Sequence, residues 1–289
     1  PKQWNALKLL NDKGEFISKK DGEKLLEIIS NNKTSYNGVD NLGQVTQMSN
    51  YMDMHIEHIL HLDGVEINEI KKATFKIVID AVNSTGGIAL PKLLKALGCG
   101  NIIELYCEPN GQFPHNPEPL PAHLEKLSET VINEKADLGI VVDPDVDRLA
   151  FVCENGKVFG EEYTLVAVSD HILSLIPGNT VSNLSSTRAL RDVTEMHGGK
   201  YFASAVGEVN VVNMMKEKNA VIGGEGNGGV IYPSSHYGRD ALVGIALFLT
   251  HLAKKNISMS ELRASYPNYV ISKNKVELTP SIDLSLIHI

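Results

Sequence analysis

Three aspartates at alternate positions, Asp143, Asp145 and Asp147, follow directly on an apolar run in the segment VVDPDVDR (141–148). Like charges so close repel, so the run needs either a positive partner or full solvation. In an extended or looped segment alternate side chains project to one side, which lets three carboxylates converge on one point. Three hard oxygen ligands with positions left open suit Mg²⁺, which binds few carboxylates and completes its shell with water and phosphate oxygens. Arg148, next in line, can hold a phosphate or neutralise surplus negative charge. A solvated acidic turn is the bland alternative. A calcium loop is disfavoured, because its sixth position calls for Gly and holds Arg148.

A second acidic loop, GGEGNGGV (223–230), sets Glu225 and Asn227 among five glycines. Glycines let a backbone approach a ligand closely, and a Glu with an Asn can bond vicinal sugar hydroxyls. The same stretch also reads as a tight hairpin turn between AVIGG and VIYP. It is no phosphate-binding Walker loop, since GK[ST] is missing. The hydroxyls of NLSSTR (183–188) read as helix N-capping rather than as a nucleophile. His115, in the Pro-rich FPHNPEP, reads as a surface histidine. His171, His251, His236 and Arg239 read as packing, capping or exposed residues, the last two in a loop entering an apolar helix.

The elements that must position these groups alternate. Strand 75–82, helix 87–98, strand 102–108, helix 121–135 and strand 138–142 give a β-α-β-α-β order, and therefore a mostly parallel sheet with right-handed crossovers. The order recurs as strand 179–186, helix 187–197, strand 200–206, helix 208–219 and strand 220–224, after a helix at 161–176. In each unit the third strand opens into one of the acidic loops. Ligand sites in such sheets lie beyond the carboxyl ends of strands, so the two loops are expected to face one cleft. The fold class expected is α/β, with consecutive similar three-layer domains and mostly parallel mixed sheets. The expected organisation is 1–74 as the end of an earlier domain plus helical connector, 75–159 as the metal-loop domain, 160–267 as the sugar-loop domain, and 268–289 as a linker and the start of a truncated further domain.

Composition narrows the function. A formal charge of −8 argues against a nucleic-acid partner, and 43% hydrophobic residues fit sizeable cores. The apolar 241–253 segment is too short to span a bilayer and reads as a buried helix. Three cysteines without CxxC spacing fit a reducing cytoplasm. The chain opens without Met and closes on SIDLSLIHI, and reads as a fragment.

Taken together, DPDVDR, GEGNGG and PKQWNALK resemble the α-D-phosphohexomutase family of phosphoglucomutases, phosphomannomutases and phosphoglucosamine mutases. The first looks like its metal loop, DxDxDR, and the second like its sugar-specificity loop, GExSG followed by His. The third looks like the residues after its phosphoserine, with Pro1, Asn5 and Lys8 matching the signature. The resemblance implies Mg²⁺ on Asp143, Asp145 and Asp147, charge stabilisation by Lys8 and Arg148, and sugar binding by Glu225 and Asn227. It implies interconversion of hexose 1- and 6-phosphates (glucose, mannose or glucosamine) through a phosphoserine and a bisphosphorylated intermediate. The serine would precede Pro1, so the chain alone is expected to be inactive. Val146 and Ala6 stand where Gly is common, Asn227 where Ser is usual and Gly229 where His is usual. VVDPDV also resembles the strand-end DxD of haloacid-dehalogenase-type phosphatases, with Asp143 as nucleophile. A non-catalytic sugar-phosphate-binding protein is the third reading.

Overall fold

A computed structural model of the chain describes residues 7–271 of the 289. Three helices come first: α1 (Lys19–Ser30), α2 (Tyr51–Leu60) and α3 (Ile67–Ala73). The first sheet unit follows as β1 (Lys76–Asp80), α4 (Gly86–Ala96), β2 (Asn101–Leu105), α5 (Glu125–Glu134), β3 (Leu138–Val142) and β4 (Leu149–Cys153). Helix α6 (Glu161–Leu175) leads into β5 (Asn179–Asn183), α7 (Ala189–Met196), β6 (Tyr201–Ser204), α8 (Glu208–Lys218), β7 (Ala220–Glu225) and β8 (Gly229–Ile231). The described part ends with α9 (Ala241–Lys255) and α10 (Met259–Ser265).

The two sheets have one topology. Their orders are β2-β1-β3-β4 and β6-β5-β7-β8, parallel except for the fourth strand of each. The sequence pattern gives the three parallel strands of each unit. It does not announce β4, whose LAFVC lies buried at every position and shows no alternation. The acidic loops are thus the turns of two equivalent hairpins. Val142 pairs with Leu149 across the aspartate loop, and Glu225 pairs with Gly229 across the glycine loop. The hairpin reading of GEGNGG is therefore correct, and it coexists with a site.

Why the loops meet follows from the core. Helix α9 is apolar on all sides because it is buried on all sides, against α2, α3, α4 and α6. Phe248 on α9 stacks on Phe151 of β4 with ring centroids 3.9 Å apart, and Phe159 closes on Phe248 at 5.3 Å. The joint is also hydrogen-bonded through backbone. Leu149 N–H donates to Gly228 O at 3.1 Å, and Ala241 N–H donates to Val146 O at 3.1 Å. One continuous apolar core thus runs through both units and fixes the two hairpin tips side by side. Among the described residues no helix is long and apolar enough to cross a membrane.

Candidate active site

Strand β3 is buried along its whole length and delivers Asp143 at its carboxyl end. Asp143 holds the loop's shape: its Oδ1 accepts the N–H groups of Asp147 and Arg148, each at 3.0 Å. Val146 closes the turn at φ +61°, and Ser84 Oγ donates to the Pro144 carbonyl at 2.7 Å. The three aspartates converge as their spacing predicts, each with a carboxylate oxygen within 4.8 Å of the others. Asp143 and Asp147 are buried and Asp145 is exposed.

The positive partner that the triad demands is supplied in part by Lys8. Its ammonium donates to Asp145 and, at 2.9 Å, to Asp147. Burial works against the charged ammonium, but the two carboxylates outweigh it and raise the Lys8 pKa. Burial would also raise Asp147, yet Arg239 and Lys8 hold it below its ordinary value. Asp143 is pushed up to about 7, first by burial and then by the charges of Asp147 and Asp145, which outweigh the opposing pull of Arg148. Arg148 Nε lies 3.6 Å from Asp143 Oδ2 and its Nη1 lies 3.4 Å from Glu118. The buried Asp147 Oδ1 has no hydrogen-bond partner. An orphaned carboxylate oxygen, a carboxyl reluctant to ionise and an all-oxygen donor set together fit a hard divalent cation. These residues form a candidate metal site.

The second loop reaches the same point. Glu225 is buried at the end of β7, where its Oε1 accepts from Asn183 Nδ2 at 2.7 Å. Its other oxygen meets Arg239 Nη1 at 2.7 Å, while Arg239 Nη2 meets Asp147 Oδ2 at 2.7 Å. The same guanidinium pairs with Glu208 at 3.0 Å. Arg239 therefore ties the aspartate loop of one unit to the glycine loop of the other. Burial pushes Glu208 upward despite Arg239. A cavity of about 270 Å³ opens here, lined among others by Lys8, Asp145, Asp147, Glu208 and Arg239.

The sequence-based expectations fare unevenly. Lys8, Asp143, Asp145, Asp147 and Arg148 gather, and Glu225 joins them through Arg239. Asn227 stays with its own turn, its Oδ1 accepting from Gly229 N–H at 3.3 Å. Arg239 is no solvent-exposed or merely packing residue. Its side chain is 11% exposed because three carboxylates surround it, a fact set by tertiary contact. Nor is His115 a plain surface group: its Nε2 pairs with the buried Asp80 at 3.0 Å, pinning the Pro-rich loop that carries Glu118. Of the NLSSTR hydroxyls, Thr187 Oγ1 accepts the Ala189 N–H at the start of α7 at 3.4 Å, while Ser186 donates to Asn183 Oδ1 at 2.9 Å and so steadies the residue that grips Glu225. His171 and His251 are packed, as expected. Glu154, twelfth from Asp143, bonds Ser260 and takes no part in the loop, so a calcium-loop reading gains nothing from it. Pro1, Asn5, Ala6 and residues 272–289 lie outside the described residues.

A repeated α/β unit with an acidic hairpin at each sheet end, joined at one cleft, defines a multidomain α/β protein. Two family profiles cover most of it: phosphoglucomutase/phosphomannomutase alpha/beta/alpha domain II matches residues 53–156, and domain III of the same family matches residues 160–269. The chain belongs to the phosphoglucomutase/phosphomannomutase family, within the α-D-phosphohexomutases. It is 32% identical over 277 residues to a phosphoglucomutase/phosphomannomutase of Thermococcus kodakarensis, covering 95% of this chain and 60% of that one. It is 27% identical over 299 residues to a phosphoglucosamine/phosphogalactosamine mutase of Sulfurisphaera tokodaii, covering 98% and 62%. A solved phosphoglucomutase/phosphomannomutase family protein of Burkholderia thailandensis superposes with a TM-score of 0.76 at 28% identity, covering 88% of this chain and 54% of that one. The chain thus spans about 60% of the length of the curated relatives it matches. Family membership leaves the dehalogenase-type phosphatase reading without support. The geometry agrees, since Asp143 spends one oxygen on two backbone N–H groups and is buried.

Proposed function

We propose that the protein containing this chain is a Mg²⁺-dependent phosphohexomutase, interconverting hexose 1-phosphate and hexose 6-phosphate through a phosphoserine and a bisphosphorylated sugar. One observation carries the reading: Arg239 joins Asp147 of the first hairpin to Glu225 of the second, each at 2.7 Å. A charge-handling loop and a hydroxyl-binding loop therefore border one cleft, as transfer of phosphoryl to and from a sugar requires.

Asp143, Asp145 and Asp147 would hold the Mg²⁺, which when bound offsets negative charge on a phosphoryl group. Lys8 and Arg148 add fixed positive charge at the same rim, where phosphoryl transfer depends on positioning and electrostatics. Glu225, held by Asn183 and Arg239, keeps lone pairs for sugar hydroxyls, and Asn227 lies two residues on. The serine donor would lie N-terminal to Pro1. Glucose, mannose and glucosamine phosphates are the substrate candidates. A reducing cytoplasm suits three cysteines that are all free.

The test is ³¹P NMR of the whole protein with hexose 1-phosphate, Mg²⁺ and a trace of hexose 1,6-bisphosphate. Growth of the 6-phosphate resonance, stopped by EDTA, is the expected result. Binding of hexose phosphate without turnover would replace this reading with a sugar-phosphate-binding protein.

A further inference from the structure

A second cluster of ligand-type side chains adjoins the cleft and takes no part in the chemistry above. Asp240, next to Arg239, is buried and caps α9: its Oδ1 accepts the N–H groups of Leu242 at 2.8 Å and Val243 at 3.0 Å. That use fixes the carboxylate and turns Oδ2 the other way. There it meets two imidazoles, His55 Nε2 from α2 at 2.7 Å and His236 Nε2 at 2.9 Å. The three ligand atoms lie within 4.8 Å of one another. The His55 and His236 rings are tilted by 54° with centroids 6.1 Å apart, so they converge on the carboxylate rather than stack. His58, one turn along α2, bonds Ser235 Oγ at 3.1 Å and holds the same loop against the helix.

A buried carboxylate needs compensating charge. Arg239 does not supply it, because its guanidinium is committed to Asp147, Glu225 and Glu208. Two imidazole nitrogens and one carboxylate oxygen with an open side are the donor set of Zn²⁺ sites that keep one position for water. The open side exists: a cavity of about 330 Å³ is lined by Tyr51, Met52, His55, Thr85, Asp240 and Leu242 among others. Metal–ligand bonds of about 2.0–2.2 Å in a tetrahedron would space the donors roughly 3.3–3.5 Å apart. The observed contacts of 2.7 and 2.9 Å must therefore open by a fraction of an ångström. The His55 and His236 side chains, 31% and 42% exposed, are free to do so by small rotations.

We propose that His55, His236 and Asp240 bind a transition-metal dication, Zn²⁺ by ligand class, and that this ion clips α2 to the loop carrying Arg239. The site is separate from the three aspartates in donor chemistry, with nitrogen ligands against oxygen alone. It acts on Arg239 by holding its loop, so its role is positioning.

The experiment is a calorimetric titration of the EDTA-stripped chain with Zn²⁺, in excess Mg²⁺ to occupy the oxygen site. Binding of one equivalent is expected, with His55→Gln and His236→Gln each weakening it by more than the roughly 10–100-fold that loss of an outer-shell partner costs. Asp143→Asn should leave it unchanged. Asp240 is left intact because it caps α9. In parallel, Zn²⁺ should raise the melting temperature of the parent chain and not that of either glutamine variant. Absence of stoichiometric binding would overturn the proposal and leave a hydrogen-bonded His–Asp clip. Binding that is lost in Asp143→Asn but kept in His55→Gln would overturn it as well.

Discussion

At the scale of single residues, Arg239 decides whether the two loops can share a cleft. It is a cation among Asp147, Glu225 and Glu208, all of them buried or nearly so. Removing one member of such a group leaves uncompensated charge in a dry setting, which costs about 3–5 kcal/mol. Arg239→Met should therefore lower stability by that amount at neutral pH, measured by urea denaturation, and a loss under about 1 kcal/mol would mean that the cluster is solvated. Lys8 makes the opposite kind of prediction. Because its ammonium shares oxygens with any cation on Asp145 and Asp147, Lys8→Met should tighten Mg²⁺ binding while slowing turnover of the whole protein. Calorimetry and the ³¹P NMR turnover measurement, read on one variant, would show both effects; weaker Mg²⁺ binding would contradict the competition. Val146 tests the loop itself. A valine at φ +61° carries strain of about 1–2 kcal/mol. Replacement by Gly relieves it but loses half-buried packing and adds about 0.4–1 kcal/mol of unfolded-state entropy. The contributions nearly cancel, so Val146→Gly should shift stability by less than about 1 kcal/mol. The aspartates were legible because alternate spacing after an apolar strand needs no third dimension. Arg239 was not, since GRD ahead of a helix reads as capping until three carboxylates from distant segments are seen around it.

At the scale of elements, the hairpins matter more than the strands that feed them. The β-α-β-α-β order could be read from alternating apolar runs and helical periodicity, and both units obey it. The fourth strand of the first sheet could not, and that of the second was legible only as the far side of a hairpin turn. LAFVC is buried throughout and follows a loop whose function was already plain, while GVI has only three residues and lies among glycines. Those two strands nevertheless set the geometry, because they turn each acidic segment back into its sheet and bring Leu149 against Gly228. Gly228 has φ +88°, and a Cβ there would lie 2.2 Å from the Leu149 carbonyl oxygen. No flexible side chain can yield, since the obstacle is backbone. Gly228→Ala should cost about 1–3 kcal/mol through this clash. It should also weaken hexose-phosphate binding more than Mg²⁺ binding, because the glycine loop moves while Asp143 keeps its own loop closed. Equal losses in both titrations would show that the joint and the metal loop are one rigid piece.

For the molecule as a whole, acid should act through the packed helices at the joint rather than through the cleft alone. His171 on α6 is 1% exposed and donates from Nε2 to the Gly64 carbonyl at 2.7 Å. Burial pushes its pKa from the ordinary 6.5 down to about 4. Between those values the unfolded chain binds a proton that the folded chain refuses, so stability rises with pH there. The contribution is fully present above about pH 6.5 and is lost as pH falls toward 4, on the order of 2–3 kcal/mol in all. Two carboxylates, one buried and one half-buried, push the same way at lower pH. Burial works against Asp170 and Asp240, but their histidine partners hold both below the ordinary range, so their stabilisation is lost once pH falls below the usual aspartate value. His55 and His115 oppose the trend, because carboxylate partners raise their pKa and add stability in the acid direction. They are partly exposed, and solvent screens their contribution. Asp143 opposes the trend more strongly, since its carboxyl, pushed up to about 7, takes a proton in the folded chain before the unfolded chain does, so between pH 7 and pH 5 the His171 loss is set against an Asp143 gain. His171→Gln, which can keep the bond to Gly64, should remove the loss and leave the chain more stable at pH 5, relative to pH 7, than the parent in urea titrations at the two pH values. An unchanged difference between the two pH values would show that His171 takes up no less proton folded than unfolded, and would overturn this assignment.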